Sequence, residues 1–425
     1  VANTSSPKPL LDTLEHVVEL YQQAQNATNA RIIFLTWLKH CLGDTTLTLP
    51  PYATKEFELV LNYLYSYRGS HDTFNAYRRE LERFVYWSWF FHERSLLKLK
   101  RLDIEAFLEF CQKPPQRWIG TKMVARFNLK NGLRIPNPEW RPFVVKVSKI
   151  AFEDGDIPDK KQFKLSTTGI KQIFAILSSF YQYLIQEETT EINPLLQIRQ
   201  KSKFLRKEPH VRSIRRLSEL QWQTVLSVTE QHADNDPQNY ERSLFILQCL
   251  YGMYLRISEL VASTRWTPTM GDFFRDANND WWFKTVGKGN KFRQIAVSPS
   301  VLKALKRYRK HLGLSPLPSP DESLPLIEKS NSPKPLTSTR PIRYLVQRCF
   351  NHAVDTLNQQ HKKEEADMLR SATVHWLRHT GISEDVKRRP REHVRDDAGH
   401  SSSAITDRYV DVELAERAKS ARLKK

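Results

Sequence analysis

Cysteine is scarce in this sequence: Cys41, Cys111, Cys249 and Cys349 stand far apart, with no CxxC pair among them. The spacing implies neither a disulfide framework nor a zinc cluster, and three of the four fall inside apolar helical patterns, as buried thiols in a reducing compartment do. Long hydrophobic runs are also missing. Nowhere do about 18 apolar residues follow one another, so no membrane-crossing helix is expected. The stretch from Val1 to Pro9 is polar, and the expectation is a soluble, non-secreted, cytoplasmic protein without a membrane partner. A GxxxxGK[ST] loop is absent too, and no metal-ligand set stands out, so neither a nucleotide cofactor nor a metal is expected. No internal repeat is visible.

Positive charge is what the sequence has in excess. Lys and Arg number 66 against 47 Asp and Glu, a net charge of +19, which favours a polyanionic partner, nucleic acid being the commonest. Residues 1–68 hold five basic side chains and six acidic ones, so the whole excess lies beyond them. The 425 residues exceed one typical core and imply two or three domains.

Helical periodicity dominates the first half. Leu11, Leu14, Val18 and Tyr21 form one apolar face, and Ile32, Phe34, Leu35 and Leu38 begin another. Residues 1–68 read as a helical extension suited to packing or protein contact, with a DNA-reading arm as the alternative. From Ser70 a helix buries Tyr77, Leu81, Phe84, Val85 and Trp89 while its other side offers Arg78, Arg79 and Arg83 to phosphate. A second helix spans 104–111, residues 112–163 are irregular, and another helix covers 168–186. Together 69–198 read as a helical DNA-binding domain.

Residues 199–216 form a basic linker containing Lys201, Lys203, Arg206, Lys207, Arg212, Arg215 and Arg216. Such a run is either a solvated connector or a strap across a duplex backbone. Order restarts at Ser218, placed to share a capping box with Gln221. The domain from 217 to 411 is expected to open with helices at 218–232 and 238–254. A small antiparallel sheet within 267–298 follows, centred on a hairpin from Trp281 to Val297, and then more helices. The fold class is therefore mainly α with one small sheet, an α+β arrangement.

Four separated pieces of this last domain expose side chains suited to a phosphodiester. Arg256 sits in Gly252–Leu260 where one helix ends and another begins; a guanidinium there can fork onto two phosphate oxygens, and an Arg256–Glu259 surface pair is the plainer alternative. Lys288 stands between Gly287 and Gly289 in the hairpin turn, fit to protonate a departing alkoxide or simply to solubilise the loop. His375 and Arg378 in His375-Trp376-Leu377-Arg378-His379 share one helix face. His400 precedes Tyr409 by nine residues; the phenol is a nucleophile if cations lower its pKa, and a packing residue otherwise.

In this order of arginine, lysine, histidine-x-x-arginine, histidine and tyrosine, the segments resemble the tyrosine recombinases, or phage integrases. The resemblance covers about 217–411 with good specificity and the preceding helical domain weakly, as a core-binding domain. It implies a C-shaped clamp on double-stranded DNA and four protomers on two duplexes, with accessory DNA-bending proteins as further partners. It also implies that Arg256 and Arg378 clamp the scissile phosphate, Tyr409 attacks it, Lys288 protonates the leaving oxygen, His375 serves the tyrosine as acid or base, and His400 donates to phosphate. Residues 412–425 would dock on a neighbouring subunit or fray as a basic tail. Type IB topoisomerase relaxation, or a DNA-binding protein with a vestigial site, are the alternatives. Two departures stand out: the polar run Val394-Arg395-Asp396-Asp397-Ala398 and the size of the 112–163 insert.

Overall fold

The computed structural model describes residues 6–43, 47–198, 215–287, 289–330, 332–400, 402, 405–406, 409 and 421–423. The chain divides into two compact units, Val1–His210 and Val211–Lys425.

The first unit contains helices α1 (Leu14–Gln25), α2 (Ala30–Leu42), α3 (Ala53–Tyr65), α4 (His71–Phe90) and α5 (Arg101–Gln112). The short strands β1 (Ile119–Gly120), β2 (Phe127–Lys130), β3 (Leu133–Pro136) and β4 (Phe143–Val144) follow, then α6 (Lys149–Glu153) and α7 (Thr167–Gln186). The division expected near residue 68 is not a boundary, because one apolar core runs from Leu10 through Phe34, Phe57, Phe84, Phe107 and Phe180 to Ile198. Polar contacts reinforce it. Glu82 of α4 is 1% exposed, and its carboxylate accepts the N–H groups of Leu10 and Leu11 at 2.8 and 2.9 Å. Burying an ion costs several kcal/mol unless it is paired, and Arg126 supplies the counter-charge.

The 112–163 segment is not wholly irregular. β2 and β3 form an antiparallel hairpin turning at Asn131-Gly132, both with positive φ, and β1 pairs with β4 in parallel.

The second unit opens with α8 (Glu219–Asn235), and its capping box is present as expected. Ser218 Oγ accepts Gln221 N–H at 3.2 Å and Gln221 Oε1 accepts Ser218 N–H at 2.9 Å. Asp236 caps α9 (Pro237–Gly252), whose residues Leu244–Leu250 are almost fully buried among α8, α10 (Pro299–His311), α11 (Arg340–Gln359) and α13 (Val374–Asp385). Each such leucine or isoleucine contributes about 1.5–3 kcal/mol by leaving water.

Strands β5 (Phe273–Arg275), β6 (Trp281–Gly287) and β7 (Lys291–Ala296) make an antiparallel sheet in that order, with Phe283 opposite Ile295 on the buried face. A small hairpin, β8 (Glu328–Lys329) with β9 (Ser332–Pro335), precedes α11; α12 (Lys363–Arg370) and α14 (Arg391–Ala398) complete the unit. All four cysteines are buried thiols. Among the described residues no helix is long and apolar enough to cross a membrane.

Candidate active site

Three chain segments of the second unit converge with Arg293 of β7 on one basic cluster. The first is the loop after α9. Tyr254 has φ 50°, a left-handed value that turns the chain sharply out of the helix. Next in the chain, Arg256 donates its N–H to Glu259 Oε2 at 2.8 Å and its Nη1 to Oε1 at 3.0 Å. Arg293 of β7 grips the same carboxylate in a fork, at 3.0 and 2.7 Å. With the Glu259 side chain only 3% exposed, this is no surface pair. Burial alone raises the pKa of Glu259, but the charge and hydrogen bonds of Arg293, backed by Arg256, bring it below the usual carboxylate range.

The second segment is α13, where His375, Arg378 and His379 fall on one face by their spacing of three and four. Arg378 is 3% exposed. Its Nη1 donates to the Tyr254 carbonyl and its Nη2 to the Ala398 carbonyl, the latter at 2.6 Å. One guanidinium thereby ties the α9 loop, α13 and the end of α14 together. Burial, aided by Arg256 and Arg293, lowers its pKa to about 9.

The third segment follows α14. Gly399 ends that helix at φ 63°, where glycine alone is unstrained, and a Cβ there would lie 2.9 Å from Arg293 Nη1. The chain then turns His400 inward, with Nδ1 2.9 Å from Thr406 Oγ1 and the ring stacked 5.6 Å from that of Tyr409. Tyr409 is 7% exposed, and its hydroxyl lies 2.6 Å from His379 Nδ1. His375, exposed at the start of α13, meets the His379 ring edge-on at 4.2 Å.

All three imidazoles sit below their ordinary pKa. Burial is the main cause in each case. His375 also feels Arg378 and Arg256; His379, brought to about 4, feels His375 and Arg378. His400, likewise at about 4, feels Arg378, Arg256 and Arg293. Burial, reinforced by the guanidiniums, keeps these histidines neutral, and an entering phosphate relieves the repulsion among the cations.

Arg256, His375, Arg378, His400 and Tyr409 therefore meet in one place. Lys288 lies outside the described residues, although its neighbour Gly287 backs onto the cluster: a Cβ there would stand 2.9 Å from Arg293 Nη1 and 3.2 Å from Glu259 Oε1. His379, Arg293 and Glu259 join the cluster without a catalytic motif of their own in the sequence. The spacing of His379 four residues after His375 was the one signal for it. Nothing local linked Arg293 to Glu259.

The polar run before Gly399 also finds its reason. Val394 and Ala398 are fully buried on one side of α14, Asp397 is 5% exposed and paired with Arg389 at 2.6 Å, and Asp396 faces water.

The arginines expected on the outer side of α4 fare differently. Arg83 is turned inward, donating to the Pro142 carbonyl at 2.9 Å and to Glu80 at 2.7 Å and lying over the Phe143 ring. Arg78 donates to the Asp12 carbonyl and to Asn75, and burial lowers its pKa to about 10. The 112–163 insert and the N-terminal segment cover this face, and buried Glu80 recruits the cations. Arg79, paired with Glu80, keeps 42% of its side chain exposed. In the linker, Lys201, Lys203, Arg206, Lys207 and Arg212 lie outside the described residues; Arg215 is exposed, and Arg216 approaches Glu384 at 3.9 Å.

Residues 215–416 match the phage integrase family. With the arginine, histidine and tyrosine cluster just described, this C-terminal unit belongs to that family of tyrosine recombinases. Its curated relatives include the tyrosine recombinase XerC of Pediococcus pentosaceus, 26% identical over 58% of this chain and 72% of that one. XerD of Rickettsia bellii is 30% identical over 34% of this chain and 44% of the relative. Among solved structures, the XerH site-specific recombinase bound to a palindromic difH substrate in a post-cleavage complex aligns over 97% of this chain and 98% of that one. Its identity is 14% and its TM-score 0.52, a likeness of fold.

Proposed function

We propose that this protein is a site-specific DNA recombinase that breaks and rejoins strands through Tyr409. One observation carries the reading: the Tyr409 hydroxyl is held 2.6 Å from an imidazole nitrogen inside a cluster of guanidiniums. Attack of Tyr409 Oη on phosphorus leaves a 3′-phosphotyrosine and a free 5′-hydroxyl. The ester keeps the bond energy, so the 5′-hydroxyl of a second strand reverses the step without a nucleotide cofactor. Arg256 and Arg378 bind the non-bridging oxygens, Lys288 protonates the leaving oxygen, and His375 exchanges protons at the exposed rim. His400, engaged with Thr406 through Nδ1, offers Nε2 to the phosphate. Donors fixed beforehand by Glu259 and by backbone carbonyls meet the phosphorane's charge at little reorganisation cost.

The partner in this reading is double-stranded DNA carrying specific sites, bound by four protomers on two duplexes in the cytoplasm, with integration or excision of a mobile element as the output. The net charge of +19 supports it, as do the matches to recombinases. The linker cations from Lys201 to Arg216 and the exposed Arg79 would add backbone contacts, and accessory DNA-bending proteins would set direction.

The test uses a pool of nicked suicide duplexes with randomised cores. Detergent-resistant protein–DNA adducts should form, survive EDTA, and weaken steeply with salt. Arg256→Ala and Arg378→Ala should lower the adduct rate about 10²-fold or more. An adduct still formed by Tyr409→Phe would refute the assignment, and relaxation of a plasmid by a monomer without paired sites would favour a type IB topoisomerase.

A further inference from the structure

Glu259 and the backbone carbonyls hold the guanidiniums, and the imidazole of His379 is a hydrogen-bond partner of the nucleophile. We infer that His379 is the base of the cleavage step, taking the phenolic proton of Tyr409 as Oη attacks phosphorus. This deepens the function proposed above and rests on it.

Geometry makes the case. His379 Nδ1 is 2.6 Å from Tyr409 Oη, within proton-transfer reach. His375 stands one turn nearer the helix start, its ring 4.2 Å from that of His379, and so touches the base instead of the phenol. The ring of His400 stacks on the face of Tyr409 and its Nδ1 is engaged by Thr406, which leaves it aimed elsewhere. With its hydrogen on Nε2, neutral His379 presents a lone pair at Nδ1 to the phenolic O–H.

The step balances. The Oη–P bond forms, the P–O5′ bond breaks, the phenolic proton moves to Nδ1, and the leaving oxygen takes its proton from a separate donor, Lys288 in the reading above. On rejoining, the imidazolium returns its proton to the departing phenolate. The same electrostatics gate the base. His379 is half-buried beside His375 and Arg378 and holds a proton poorly. His400 and Tyr409 also face it, and neither supplies a fixed negative charge. A scissile phosphate bound by Arg378 and Arg256 brings that charge, so His379 becomes a stronger base only when there is a bond to cut.

The experiment measures single-turnover adduct formation on a nicked suicide duplex recovered from the randomised pool. His379→Asn, which keeps an oxygen near the Nδ1 position but cannot carry the proton, should slow the adduct about 10²-fold and remove the limb of the pH–rate profile that rises as His379 loses its proton. A trifluorinated tyrosine placed at position 409, largely ionised at neutral pH, should restore most of that loss in His379→Asn and gain little in the wild type. A role limited to packing would not be rescued. Tyr409→Phe separates the two levels: if it still forms adduct, the proposed function falls. If it does not, but His379→Asn keeps the wild-type rate and pH profile, or reacts faster, His379 is not the base.

Discussion

Glu259→Ala tests how the cluster is held together. The substitution removes a carboxylate that accepts four hydrogen bonds, two from Arg293, one from Arg256 N–H and one from Arg256 Nη1. It also leaves Arg293, whose side chain is 8% exposed, as an unpaired buried cation facing Arg378. Removing one partner of a buried pair costs about 3–5 kcal/mol. Arg256, at 28% exposure, can still be solvated and adds little to that. In a unit of this size 1 kcal/mol moves the midpoint by roughly 2–4 °C, so the catalytic unit should melt about 6–20 °C lower. Differential scanning calorimetry of the full chain reads the shift, and the double variant Glu259→Ala/Arg293→Met should recover part of it by removing the stranded charge. A single variant melting within 1–2 °C of wild type, or a double variant no better than the single, would show that the ion pair does not hold the site.

Three further outcomes follow from the same geometry. Gly399→Ala puts a Cβ 2.9 Å from Arg293 Nη1 at a φ of 63°, and the left-handed conformation alone costs about 1–2 kcal/mol; urea unfolding should show a loss of at least that size, together with loss of adduct. Arg378→Lys cannot reach the Tyr254 and Ala398 carbonyls at once and should lose both stability and adduct, where a surface exchange would be silent. His379 and His400 drop from 6.5 to about 4 on folding, so the unfolded chain binds protons first as pH falls. Their contribution is complete above pH 6.5 and lost progressively toward pH 4. Acid titration of the wild type should show this decline, and His379→Gln should flatten it.

What the sequence determined by itself is what short-range physics governs. The capping box at Ser218 and Gln221, the β6–β7 hairpin and the common face of His375 and Arg378 depend on residues a few positions apart, whose spacing fixes their geometry before any tertiary packing. The set Arg256, Arg378, His400 and Tyr409 was legible for a related reason: Arg256, His400 and Tyr409 stand at helix ends or turns that their own segments specify, and Arg378 lies inside α13 one turn from His375. Tertiary structure decided the rest. Glu259 and Arg293 are 34 positions apart, and the pairing of two charges across a fold has no local signature. Glu82 draws in Leu10 from 72 positions away, merging a segment that reads as separate into the core. Arg83 lost its outward role because the insert brought Pro142 and Phe143 over it. A charged side chain reads the same in sequence whether it faces water or a buried carboxylate, and only the packing around it settles which.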